Sequence, residues 1–83
     1  MKMNNFHFKW SIGNTVKFTI EFHNHEYEAI GQIQSMHVSP NNVVYYCATI
    51  NSVPNGKDIA WPAECVLNEN LNFVSFDNRL VFC

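Results

Sequence analysis

Apolar and polar residues alternate with a period of two through most of the chain. From Thr15 to Phe22, the residues Val16, Phe18, Ile20 and Phe22 point one way, and Thr15, Lys17, Thr19 and Glu21 the other. Successive side chains of a strand face opposite sides, so this segment predicts a half-buried β-strand with one dry face. Phe6, Phe8, Trp10 and Ile12 alternate with His7, Lys9 and Ser11 and predict an earlier strand, joined to the next by a tight turn at Gly13-Asn14. His23-Asn24-His25-Glu26 is polar and reads as a loop. Tyr27 to Val38 reads as a longer strand interrupted at Gly31. Ile30 and Ile33 are three apart, and a bulge at the glycine would turn both inward and bend the sheet.

The second half continues the pattern. Ser39-Pro40-Asn41-Asn42 is a turn with proline at its favoured second position. Val43 to Ile50 is apolar on both faces, as expected of a central or covered strand. Val53-Pro54-Asn55-Gly56 repeats the turn design, and Asp58 to Trp61 reads as a short strand. Pro62-Ala63-Glu64 predicts one 3-10 turn, because proline at the start of a helical turn loses no needed N–H. Cys65 to Leu67 returns to extended chain, and Leu71–Phe76 with Leu80–Cys83 reads as a last hairpin across Asp77-Asn78. No long helical period occurs, so the expected class is all-β.

Size and composition narrow the functional classes. A chain of 83 residues predicts a single domain. Charged residues make up 14%, below the usual share of about 25%, and asparagine, with 12 copies, fills much of the gap at expected turns. The net charge is −2, and Lys2, Lys9, Lys17, Lys57 and Arg79 are scattered. Nucleic-acid binding relies on clustered cations, so it is disfavoured and survives only as a weak, stacking-based alternative. Cys47, Cys65 and Cys83 form an odd set without CxxC spacing, which points to free thiols in a reducing compartment. No stretch matches a signal peptide or a membrane helix, so the expected location is cytoplasmic.

A family resemblance adds to this. Phe8, Ile12-Gly13-Asn14 and Val16-Lys17-Phe18 resemble the opening of SH3-like small barrels. Gly31-Gln32-Ile33 resembles their second strand, and Trp61-Pro62-Ala63-Glu64-Cys65-Val66 their closing 3-10 turn and final strand. The Tudor, KOW and SH3-like adaptor families share this layout. The resemblance implies a barrel of five to seven antiparallel strands over about residues 10–67, with additions at 1–9 and 68–83. It departs from the proline-rich-peptide binders, because the loop at His23 to Glu26 has the wrong length and composition, and from KOW modules, which carry more basic loops.

Candidate chemistry is sparse. His23 and His25, two apart beside Glu26, would share a side of a strand and could hold a metal only with further ligands that the sequence does not place. A hydrated loop is the simpler reading. Three cysteines and four histidines allow a Cys–His pair on paper, but no nucleophile elbow or oxyanion-forming glycine loop accompanies them. Glu21, Glu26 and Glu28 read as solvated charges. No enzyme, metal or cofactor is expected. The 12 aromatic residues exceed what a small barrel interior should hold. They predict either a minicore under the terminal segments or a docking surface, with Tyr27, Tyr45, Tyr46, Trp61 and Pro62 as candidate binding residues and Tyr27, Tyr45 and Trp61 as exposed rings. The expected function is a non-enzymatic protein-binding module that docks another protein, or itself, through an aromatic patch. A small, catalytically bare barrel also resembles phage accessory proteins, which implies an inhibitor of a host defence or replication factor. The alternatives are an oligomer sequestering a small ligand or nucleotide, and a weak nucleic-acid-binding barrel.

Overall fold

The computed structural model describes residues 8–77. Five strands, β1 (Thr15–Phe22), β2 (His25–Val38), β3 (Val44–Thr49), β4 (Glu64–Asn68) and β5 (Phe73–Ser75), form one sheet in sequence order. Every neighbouring pair is antiparallel, and the sheet curls into a half-barrel. The architecture is all-β and compatible with a small β-barrel. Its two margins meet at one parallel bridge between Thr19 and Asn72.

The period-two pattern is the reason the sheet has a dry side. Val16, Phe18 and Ile20 of β1 face Ala29 and Ile33 of β2, Val44, Tyr46 and Ala48 of β3, and Cys65 and Leu67 of β4 across one interior. Burial of a large apolar side chain contributes about 1.5–3 kcal/mol, so this interior is the main source of stability. β3 lies in the middle of the sheet, and its second face is partly dry as well: Cys47 is buried there beside its cross-strand partner Val66.

β2 serves both halves of the sheet. Its first half pairs with β1 without interruption from His25↔Phe22 to Gln32↔Thr15. Its second half pairs with β3, and the register slips between Ile33 and Ser35. The slip switches which residues face inward: Ala29, Gly31 and Ile33 are buried before it, and Met36 packs on the core after it. The irregularity therefore sits at Gln34 and not at Gly31. Ile33 turns fully inward, while Ile30 is only half-buried. Gly31 answers to a different demand. A Cβ there would lie 1.7 Å from the Thr49 carbonyl oxygen, so the glycine lets the end of β3 cross directly over β2.

The turns correct other expectations. Residues 23–26 do not form a four-residue loop; His23 and Asn24 alone connect β1 to β2, both with positive φ (50° and 64°), as a two-residue hairpin of the primed type requires. His25 and Glu26 belong to β2. The β2–β3 and β4–β5 connections share one plan, closing with Asn42 (φ 64°) and Leu71 (φ 63°) in the left-handed region. The Asn68 side-chain oxygen accepts hydrogen bonds from the Asn70 and Asn72 amides, each at 2.9 Å, and organises the second of these loops. The 3-10 turn is Pro54–Gly56, with proline at its start, and not Pro62–Glu64. Residues 58–61 form no strand, because they wrap around that turn, with the Ile59 amide donating to the Gly56 carbonyl.

Phe8 to Ile12 does not join the sheet. The Ser11 amide donates to the Asn14 side chain and the Asn14 amide to the Ser11 carbonyl, so the chain folds back on itself and Ile12 is left 64% exposed. The segment forms a strap across one end of the half-barrel. The Lys9 amide donates to the Tyr46 hydroxyl at 2.8 Å, and the Trp10 indole N–H to the Glu69 carbonyl at 3.4 Å. Past Leu67 the sheet continues: β5 pairs with β4. The earlier part of the expected first strand and the expected hairpin through Leu80–Cys83 lie outside the described residues.

Candidate functional site

Five rings gather at the end of the half-barrel opposite the strap. Phe22 closes β1, Tyr27 lies near the start of β2, Trp61 arrives from the chain after the 3-10 turn, and Phe73 and Phe76 come from β5 and the residue beyond it. Trp61 lies 5.1 Å from Tyr27 and 5.3 Å from Phe22, and Phe73 lies 4.7 Å from Phe76, all tilted or edge-on. Ring edges carry partial positive charge and ring faces partial negative, so this packing adds about 0.5–1.5 kcal/mol per pair beyond burial. Phe76 also contacts Phe22 and Trp61, which makes the group continuous.

The short turn beneath fixes this geometry. Gly56 is buried, and a Cβ there would meet Trp61 Cζ2 at 2.9 Å and Tyr27 Cδ1 at 3.0 Å. The Gly56 carbonyl accepts the Trp61 indole N–H at 2.8 Å. The absence of a side chain thus lets Tyr27 and Trp61 close over the turn, and the carbonyl orients the indole. All five rings remain half-buried, and Pro62 beside Trp61 is exposed.

The residues read as a binding set from sequence divide three ways. Tyr27, Trp61 and Pro62 come together at this end. Tyr45 lies half-buried on the convex side of β3, away from them. Tyr46 is fully buried, with its hydroxyl tied to the strap, so it is a core residue and offers nothing to a partner. The expected exposure of Tyr27, Tyr45 and Trp61 is also corrected: each is half-buried. Neighbouring rings cover part of Tyr27 and Trp61. The sequence does not single out Phe22, Phe73 and Phe76, because their convergence depends on β5 returning to β4. Their only signal in the sequence was the ring surplus itself.

Two histidines border the rings. His23 packs edge-on against Phe22 with centroids 4.1 Å apart, and His25 against Tyr27 at 6.4 Å. Among the described residues no group of three or more His, Cys, Asp or Glu side chains is placed to hold a metal. Cys47 and Cys65 are free and buried. Burial, reinforced by Cys47 and Glu64, pushes the Cys65 thiol up to about 12. Burial chiefly, with Glu64, raises Cys47 as well. Both are poor nucleophiles near neutrality, where the thiolate is the reactive form. On the convex face Ser35 bonds His37 through Oγ and Nε2 at 2.8 Å and also reaches the Cys47 thiol.

Comparison with known proteins adds no family assignment: no family model matches the chain, and neither the curated proteins nor the solved structures give a match.

Proposed function

We propose that the protein is a non-enzymatic binding module whose aromatic end docks another protein or a second copy of itself. The observation that supports this reading is the five-ring cluster, which the fold assembles at one end, leaves half-covered and borders with the exposed Pro62. Aromatic side chains bring large contact area at low entropic cost and are enriched at the centres of protein interfaces. Pro62 is fixed in φ and adds a rigid edge. The narrower reading, a phage-encoded inhibitor of a host defence or replication factor acting in the cytoplasm, draws on the resemblance of small, catalytically bare barrels to phage accessory proteins.

The experiment is site-specific photocrosslinking in the native cell. A photoreactive residue at Pro62 or Ala63, both exposed, should trap one discrete protein species, either a partner or the dimer of this chain. The same group at Gln32, on the far part of the hairpin, should not. Trapping at Gln32 in place of Pro62 and Ala63, or none at the ring end, refutes this surface.

A further inference from the structure

We propose that the convex face of the β1–β2 hairpin holds a small zwitterion of about dipeptide size, with Lys17 at its carboxylate and Glu28 at its ammonium group. A cleft of about 390 Å³ lies there, lined by Lys17, Glu28, Ala29, Ile30, Pro54 and Asn55. Its size falls within the range of about 300–1,000 Å³ typical of small-molecule sites. A second cleft of about 220 Å³ adjoins it and shares Lys17 and Glu28, so the two charges stand where the clefts meet.

The strand register explains the arrangement. Lys17 faces Ile30 and Thr19 faces Glu28, so Lys17 and Glu28 are diagonal neighbours on one face. Such neighbours are about 7–8 Å apart at the backbone. Among the described residues neither side chain is engaged in an ion pair or hydrogen bond, with the other or with a third group. Between them Ile30 and Pro54 supply an apolar floor, while the Ala29 side chain faces the core. Asn55 accepts the Glu28 backbone N–H through Oδ1 at 3.3 Å, which leaves its amide N–H groups free to add donors. The site thus offers a cation and amide donors at one end, a carboxylate at the other, and apolar surface in the middle. A single α-amino acid carries both charges on one carbon, a poorer match to positions about 7–8 Å apart. A dipeptide separates its charges across a peptide unit and brings an apolar side chain for the floor. This site lies on the opposite face of the hairpin from Tyr27 and does not rest on the ring cluster.

The test is a proton–nitrogen correlation titration of the full chain with glycyl-leucine. N-acetyl-glycyl-leucine, which lacks the ammonium, and glycyl-leucinamide, which lacks the carboxylate, serve as single-charge analogues. Glycyl-leucine should shift the amides of Lys17, Glu28 and Asn55. Each single-charge analogue, and each of Lys17→Met and Glu28→Gln, should bind roughly two- to fivefold more weakly, as loss of one exposed ion pair predicts. Both substituted positions are exposed, and the dispersion of the same spectra verifies the fold. Absence of shifts at these residues up to the solubility limit, an equal response to the three compounds, or unchanged affinity in both variants overturns the proposal.

Discussion

Replacing Gly31 by alanine should damage this fold more than the same change at Gly13 or Gly56, because only at Gly31 does the new Cβ run into backbone. The new Cβ would sit 1.7 Å from the Thr49 carbonyl oxygen and 2.8 Å from its carbon, both backbone atoms, and 3.3 Å from Phe18 Cε1. The first separation would have to double to reach ordinary contact at 3.4 Å. No rotamer change achieves that; β2 must move away from residues 49–52. The three shortest of the hydrogen bonds that span that crossing are Ile30 N–H to Ser52 O at 2.8 Å, Asn51 N–H to Ile30 O at 2.8 Å, and Gln32 N–H to Thr49 Oγ1 at 2.9 Å. At about 1 kcal/mol net for each bond, and about 1–3 kcal/mol for overpacking, the expected loss is on the order of 4 kcal/mol. Small domains hold only about 5–15 kcal/mol in total, so the variant should be close to unfolding. Urea denaturation followed by circular dichroism measures this as a midpoint lowered by about 2 M at a typical slope. Gly13→Ala is the control. Its φ is +92° with nothing within 4 Å of the added Cβ, so it should lose only the conformational cost, about 1–2 kcal/mol. A Gly31→Ala loss below about 1 kcal/mol, or no greater than that of Gly13→Ala, would refute the crossing-strand argument.

Four further outcomes are expected. Gly56→Ala, in a Trp10→Phe background, should push Trp61 and Tyr27 apart, redden the indole emission and destabilise by about 1–3 kcal/mol; unchanged emission would contradict the packing over the turn. Tyr46→Phe should cost about 1 kcal/mol and speed hydrogen exchange at the Lys9 amide, which loses its acceptor, while the β3 amides stay protected. The double change His23→Asn with Asn24→Gly should raise stability by about 0.5–1 kcal/mol, because both positions require positive φ, and a lower thermal midpoint would tell against the primed turn. Stability should fall as pH rises from about 9 towards 12: the Cys65 thiol keeps its proton in the folded state, at about 12, while the unfolded chain loses it near 9.0, and the slope should flatten in Cys65→Ala.

What could be read from the chain was decided by how local each cause is. β1 was legible to the residue, because Val16, Phe18, Ile20 and Phe22 carry an unbroken alternation against polar partners. β3 was legible as a central or covered strand, because both of its faces are apolar, and it lies at the centre of the sheet. The β1–β2 turn was not, since His23-Asn24 adopts positive φ without glycine and looks like any polar loop. Gly31 reads from the sequence as the seat of a bulge, but its demand comes from Thr49, 18 positions away, and no local pattern carries that. Phe8 and Trp10 alternate well enough for a strand, yet the Ser11–Asn14 turn takes the adjoining backbone groups first. Of the candidate surface, Tyr27, Trp61 and Pro62 were legible as types. Their meeting with Phe22 and Phe76 was not, because it follows from sheet curvature and from where β5 returns.

The bridge from Thr19 to Asn72, where the margins of the sheet meet among the described residues, has a mechanical meaning. Four ladders run the width of the sheet, while among the described residues its margins share one backbone bridge and the contact of Phe22 with Phe76. The molecule is in this sense a furled ribbon, and its seam is where the fewest backbone bonds would have to break for it to open. Phe73 lies directly beside the bridge and Phe76 a few residues on, so unfurling would spread the ring group without melting a strand.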